Sequence, residues 1–139
     1  MWLFYAFLAS ITAALVAIFA KIGLKDIDST LATTIRGLIM AAFLVLISLS
    51  LKKFEGFSFN TFGGKEWLFI ILAGISGALS WLFYFYALKH GDASKVSAID
   101  RTSIIFVVIL AALFLGEKLG IKAVAGAILM ILGAILISL

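Results

Sequence analysis

Apolar residues run along this chain in blocks of about twenty, parted by short polar stretches. The blocks cover residues 2–20, 31–51 (broken once by Arg36), 67–88, 96–115 (interrupted by Asp100 and Arg101) and 121–139 (with Lys122 at its mouth). A helix needs about 20 residues to cross the hydrocarbon core of a bilayer. Lipid offers the backbone no hydrogen-bond partners, so each block must be helical. Membrane strands would be shorter and would alternate, and no such alternation is present. The pattern predicts an all-α integral membrane domain over residues 1–139, with five transmembrane helices near 2–22, 30–51, 67–89, 95–115 and 120–138. The first block lacks a basic leader and is expected to stay as a span.

Most connections are short, so neighbouring helices are expected to run antiparallel. The longest gap, residues 52–66, reads KKFEGFSFNTFGGKE. Its Phe54, Phe57, Phe59 and Phe62 either belong to an ordinary loop or lie at headgroup depth in the membrane interface.

Composition sharpens this picture. Of 139 residues 65% are hydrophobic and only 13% charged, about half the share a water-exposed surface uses. There is no cysteine, hence no disulfide or thiolate site. The net charge is +4, and most of the lysines lie between the apolar blocks. Membrane lipids with anionic headgroups are therefore the expected polyanionic partner, and nucleic acid is not.

Charge also bears on orientation. With five spans, Lys21, Lys25, Arg36, Lys89, Lys95 and Arg101 fall toward one membrane face and Lys52, Lys53, Lys65, Lys118 and Lys122 toward the other, six against five. Orientation follows the excess of Lys and Arg on one side, and here that excess is close to nil. Insertion both ways round is expected, giving an inverted (antiparallel) dimer, a ten-helix bundle of a kind common among transporters.

Four charges lie in or just inside the blocks: Lys21, Arg36, Asp100 and Arg101. Lys21 and Arg36 are long enough to snorkel to the headgroups. Asp100 is not. Successive helical residues point about 100° apart, so Arg101 is a poor partner for it. Asp100 either accepts from hydroxyls such as Ser97 or Ser103, pairs with Arg36 as a static link between helices, or shares with Arg36 and Arg101 a polar chamber open to one side. A carboxylate in such a chamber could carry a proton, which makes protons a candidate coupling ion.

In the third block, Gly74, Gly77 and Ala78 suit close helix contact. Trp81, Tyr84 and Phe85 follow one turn on. These rings either pack against neighbours or line an apolar or cation-accepting pocket. In the last block Gly126 and Gly133, seven apart, mark a candidate dimer face. Catalytic machinery is not in evidence. The sole histidine, His90, falls in a predicted loop, and no Walker, HExxH or Gly-x-Ser-x-Gly pattern occurs. No enzyme activity, cofactor or metal is expected.

The C-terminal half carries a more specific signature. Residues 87–96 read ALKHGDASKV, and an apolar run then ends in Leu115, Gly116 and Glu117 before a glycine-spaced final span. This pattern resembles the EamA-type unit of the drug/metabolite transporter superfamily. Lys21 and Arg36 look like recurring basic positions of that unit. The single unit is similar to the short five-helix bacterial and archaeal branch. The resemblance implies transport of a small organic solute, metabolite or drug-like, across the cytoplasmic (inner) membrane by an antiparallel homodimer or a pair of homologues. Arg36, Trp81, Tyr84, Asp100 and Arg101 become substrate- or proton-site candidates, and Lys21 a gate or interface charge. The chain has no proline, and Asp100-Arg101 stands where fused relatives often carry prolines, so the resemblance does not bring a proline-broken helix with it. The alternative is a non-transporting scaffold or accessory subunit whose charges are static pairs.

Overall fold

The computed structural model describes residues 1–58 and 62–139. The described residues form helices only: α1 (Trp2–Gly23), α2 (Ser29–Ser50), α3 (Gly64–His90), α4 (Ala93–Asp100), α5 (Ser103–Phe114) and α6 (Ile121–Ser138). α4 and α5 together make one stretch long and apolar enough to span, Ala93–Phe114, so the candidate spans number five. The expected all-helical architecture with five candidate spans is thus present. His90, expected in a loop, instead ends α3.

Two features differ from a plain reading of the blocks. α3 runs for 27 residues, several more than a bilayer requires. The fourth span breaks at Asp100–Thr102 without a proline. There the backbone tightens to i→i−3 bonds: Thr102 N–H to the Ile99 carbonyl (3.0 Å), Ile104 to Arg101 (3.3 Å) and Ile105 to Thr102 (3.0 Å). The Thr102 hydroxyl donates to the same Ile99 carbonyl at 2.6 Å. Such a 3₁₀ stretch inside a helix often marks a hinge.

The chain divides into two compact units. One comprises Met1–Gly23 and Ala87–Leu139, the other Leu24–Tyr86. In the first, α4 lies along α6, with α1 against α4 and α5 against α6. Its buried apolar positions are Ala17, Leu88, Ala127 and Ala134. Three are alanines, whose small side chains let helix axes approach where no hydrophobic effect drives them together. The large side chains point outward, as they do when the solvent is lipid.

The second unit is built by its caps. The Asp28 carboxylate accepts from the Leu31 N–H at 2.9 Å and starts α2. At the other end the Lys53 N–H returns to the Ser48 carbonyl and the Lys52 N–H to Leu49, 2.9 and 3.0 Å. This is a Schellman termination, with Lys52 at the left-handed position usually held by glycine (φ 54°). Hydroxyls within α2 satisfy themselves on their own helix: Thr33 on the Ser29 carbonyl, Thr34 on Thr30 and Ser50 on Leu46. Between α2 and α3, Phe54, Phe57, Phe62 and Trp67 form a run of ring contacts 5.5–6.0 Å apart. Phe59, expected beside them in a loop or at headgroup depth, lies outside the described residues.

Candidate functional site

Arg36 sits about two turns into α2, and Trp81 lies about two and a half turns before the end of α3. Within the second unit the two meet. The guanidinium carbon stands 3.6 Å from the Trp81 ring centroid and 5.6 Å from that of Phe85. Trp81 in turn meets Tyr84 and Phe85 edge-on, at 5.5 and 5.8 Å. One cation and three rings thus form a single cluster, which Phe85 anchors as a buried residue.

The cluster borders a cavity of about 420 Å³ between α2 and α3. Thr33, Thr34, Arg36, Gly37 and Met40 line one side, and Ala73, Gly74, Gly77, Ala78, Trp81 and Leu82 the other. The volume suits a small organic molecule. The wall is open at its glycines: a Cβ at Gly37, Gly74 or Gly77 would meet no atom within 4 Å. Gly74 and Gly77, expected to suit close helix contact, line this space.

A second cavity, of about 570 Å³, opens in the first unit. α1 contributes Ser10, Ala13, Ala14, Ala17 and Ile18; α4 contributes Ala93, Ser94, Ser97 and Ala98, with Arg101 and Ile137 completing it. The predicted chamber residues are therefore shared out. Arg36 and Trp81 line the α2–α3 cavity, whereas Tyr84 meets Trp81 but is not among its lining residues. Arg101 belongs to the α1–α4 cavity. Asp100 is exposed and lines neither.

Two lysines act on helix ends. Lys21 Nζ donates to the Leu88 carbonyl at 2.6 Å and the Gly91 carbonyl at 2.8 Å. It closes the C-terminus of α3, where unsatisfied carbonyls and the helix dipole both favour a cation. The residues it grips lie inside the ALKHGDASKV signature. Gly91 is confined there, since a Cβ would come 3.0 Å from Val96 and 3.3 Å from the Ala87 carbonyl. Lys95 does the same for α6, donating to the Ser138 carbonyl at 2.9 Å. Sequence reasoning missed Lys95, because only the fold brings α6's end to it. It also missed Gly37, Thr33 and Thr34 as lining residues, although all three lie within one turn of Arg36.

The signature's second element has a backbone reason too. Gly116 takes a left-handed conformation (φ 68°) and the Glu117 N–H returns to the Ala111 carbonyl at 3.2 Å. On α6, Ala127 and Ala134 are buried while Gly126 is exposed and Gly133 half-buried; a Cβ on either glycine would touch nothing.

The whole chain, residues 1–139, matches the EamA-like transporter family. An uncharacterized transporter in cobO 3'region from a Sinorhizobium species is 39% identical over 99% of this chain and 96% of its own length. The pseudopaline exporter CntI of Pseudomonas aeruginosa is 34% identical over 49% of this chain, but the match covers 24% of that exporter. No solved structure gives a significant match. These likenesses point to a transporter of the drug/metabolite superfamily and away from an enzyme. Five candidate spans and a likeness that runs the full length of the chain lead to one conclusion: this is a multi-pass membrane protein, and it belongs to the EamA-like transporter family.

Proposed function

We propose that the chain is a secondary transporter of small organic solutes, working by alternating access in the cytoplasmic membrane as an antiparallel homodimer or as a pair with a homologue. The observation that carries this reading is the α2–α3 cavity, which places Arg36 and Trp81 together inside membrane-spanning segments. A cation at that depth is costly unless it serves a polar path. The near-even lysine and arginine distribution supports dual insertion. The open Gly126 and Gly133 positions leave room on α6 for a second copy. The hinge at Asp100–Thr102 offers a place for the fourth span to flex, with Asp100 as the proton carrier.

The absence of native cysteine makes the topology test clean. Leu119→Cys, in the α5–α6 turn, is labelled in intact cells with a membrane-impermeant thiol reagent, against lysed controls. About half labelled from outside supports one gene building both halves. All or none labelled rejects the homodimer and leaves the paired homologue. Transport itself is read as solute uptake into proteoliposomes, with Asp100→Asn expected to abolish uptake or its pH dependence.

A second reading, a scaffold or accessory subunit, draws on Lys21 and Lys95, whose charges hold helix ends. Under that reading Arg36→Ala and Asp100→Ala would each destabilise the fold, and the double variant would recover much of the loss.

A further inference from the structure

We infer that the α2–α3 cavity takes the anionic end of its solute, a carboxylate or comparable oxyanion, on the Arg36 guanidinium. This deepens the transporter reading and rests on it.

Arg36 carries five N–H donors and no acceptor. Its interactions are with ring faces, Trp81 at 3.6 Å and Phe85 at 5.6 Å. The Lys52–Glu55 ion pair, in the loop, involves none of the cavity's lining residues. A separation of about 3.5–4 Å is contact distance for stacked planar groups. Stacking uses the flat face of the guanidinium and leaves its in-plane donors unused. Those donors form the fork that binds a carboxylate through two parallel bonds.

The rest of the lining does not compete for an anion's place. Thr33 and Thr34 commit their hydroxyl protons to α2 carbonyls, 2.7 and 2.9 Å away. Gly37, Gly74, Gly77 and Ala78 are small and apolar. Among the described residues that line the wall, the guanidinium is the only charge. A cationic solute would meet that charge at close range in a medium of low dielectric, where repulsion is strong. It would also find the Trp81 face covered. The expected alternative for these rings, a cation-accepting pocket, is disfavoured because the protein's own cation already occupies it.

The test reads binding, not transport. Trp2→Phe and Trp67→Phe leave Trp81 as the sole tryptophan, and the protein is placed in phosphatidylcholine nanodiscs. Trp81 fluorescence is quenched by iodide and by caesium, each scaled to neutral acrylamide. The expected result is iodide quenching at least threefold above caesium. That preference should collapse in Arg36→Gln and largely persist in Arg36→Lys. Benzoate should suppress iodide quenching, and benzamide should not. Caesium quenching equal to iodide overturns the proposal, and this comparison needs no Arg36 variant to fold. An iodide preference unchanged in Arg36→Gln also overturns it. So does an iodide preference that benzoate fails to suppress. If phosphatidylglycerol discs remove iodide quenching while benzoate does not, the oxyanion is a lipid headgroup and the solute assignment falls. Uptake without anion preference would reject the ligand class and leave the transporter reading standing. Anion preference without any uptake would do the reverse.

Discussion

Replacing Lys21 with methionine keeps most of the side chain's length and apolar stem and removes only the charge and its donors. In the folded protein those donors meet the Leu88 and Gly91 carbonyls at 2.6 and 2.8 Å. A hydrogen bond from a charged group contributes about 1.5 kcal/mol or more, so two give about 3 kcal/mol. Polar pairs between membrane helices average nearer about 0.6 kcal/mol each, because the unfolded chain in lipid also finds partners. The half-buried position of Lys21 lies between these limits, and about 2 kcal/mol is expected. Reversible unfolding in mixed micelles, titrated with a denaturing detergent and followed by circular dichroism, measures it. Lys25→Met, at an exposed neighbour, supplies the control, with a change within about 0.5 kcal/mol. Hydrogen exchange gives a local readout: amides around Gly91 and the first turn of α4 should lose protection first. A Lys21→Met variant as stable as Lys25→Met, with exchange unaltered at that corner, would refute the cap and return Lys21 to the headgroups.

Further expectations follow from the same geometry and the same unfolding assay. Lys52→Gly relieves a left-handed non-glycine residue at the end of α2 and should stabilise by about 1 kcal/mol; a loss would mean that the 3.4 Å Lys52–Glu55 pair matters more than the backbone. Asp28→Ala removes the α2 cap at 2.9 Å and should cost about 1 kcal/mol, with Asp28→Asn nearly neutral. Gly116→Ala forces a side chain into φ 68° and should cost about 1–2 kcal/mol. Lys95→Met should raise hydrogen exchange at the end of α6, whose Ser138 carbonyl it holds, and leave α2 unaffected.

The spans were legible because lipid imposes one rule on every residue in them: cover the backbone and present an apolar side chain. Block length and composition report that rule directly. The site was legible by residue type and not by arrangement. Arg36 and Trp81 stood out as misfits in apolar blocks, but their pairing depends on how α2 and α3 face each other, which periodicity does not encode. Hydropathy gave no register here, since the blocks are apolar all round. The lysine caps were hidden for the same reason. Lys21 and Lys95 look alike in sequence to Lys25, and only the fold decides which ammonium reaches a helix end.

The break in the fourth span was also out of reach, and its cause is instructive. Proline is the usual signal for an interrupted helix, and this chain has none. Here the interruption comes from Asp100, Arg101 and Thr102, with the Thr102 hydroxyl taking the Ile99 carbonyl at 2.6 Å. Irregular backbone at membrane depth is tolerated where protein buries it or where it lines a watered space. In the first unit, Arg101 borders a cavity that Ser10, Ser94 and Ser97 also line. The tightened backbone, the arginine and the serines share one requirement, a polar medium within the span. A side chain as short as Asp100's makes the requirement stricter, because it cannot reach the headgroups. Asp100, Arg101 and the tightened backbone express the same departure from lipid, and removing the charges should let the helix close.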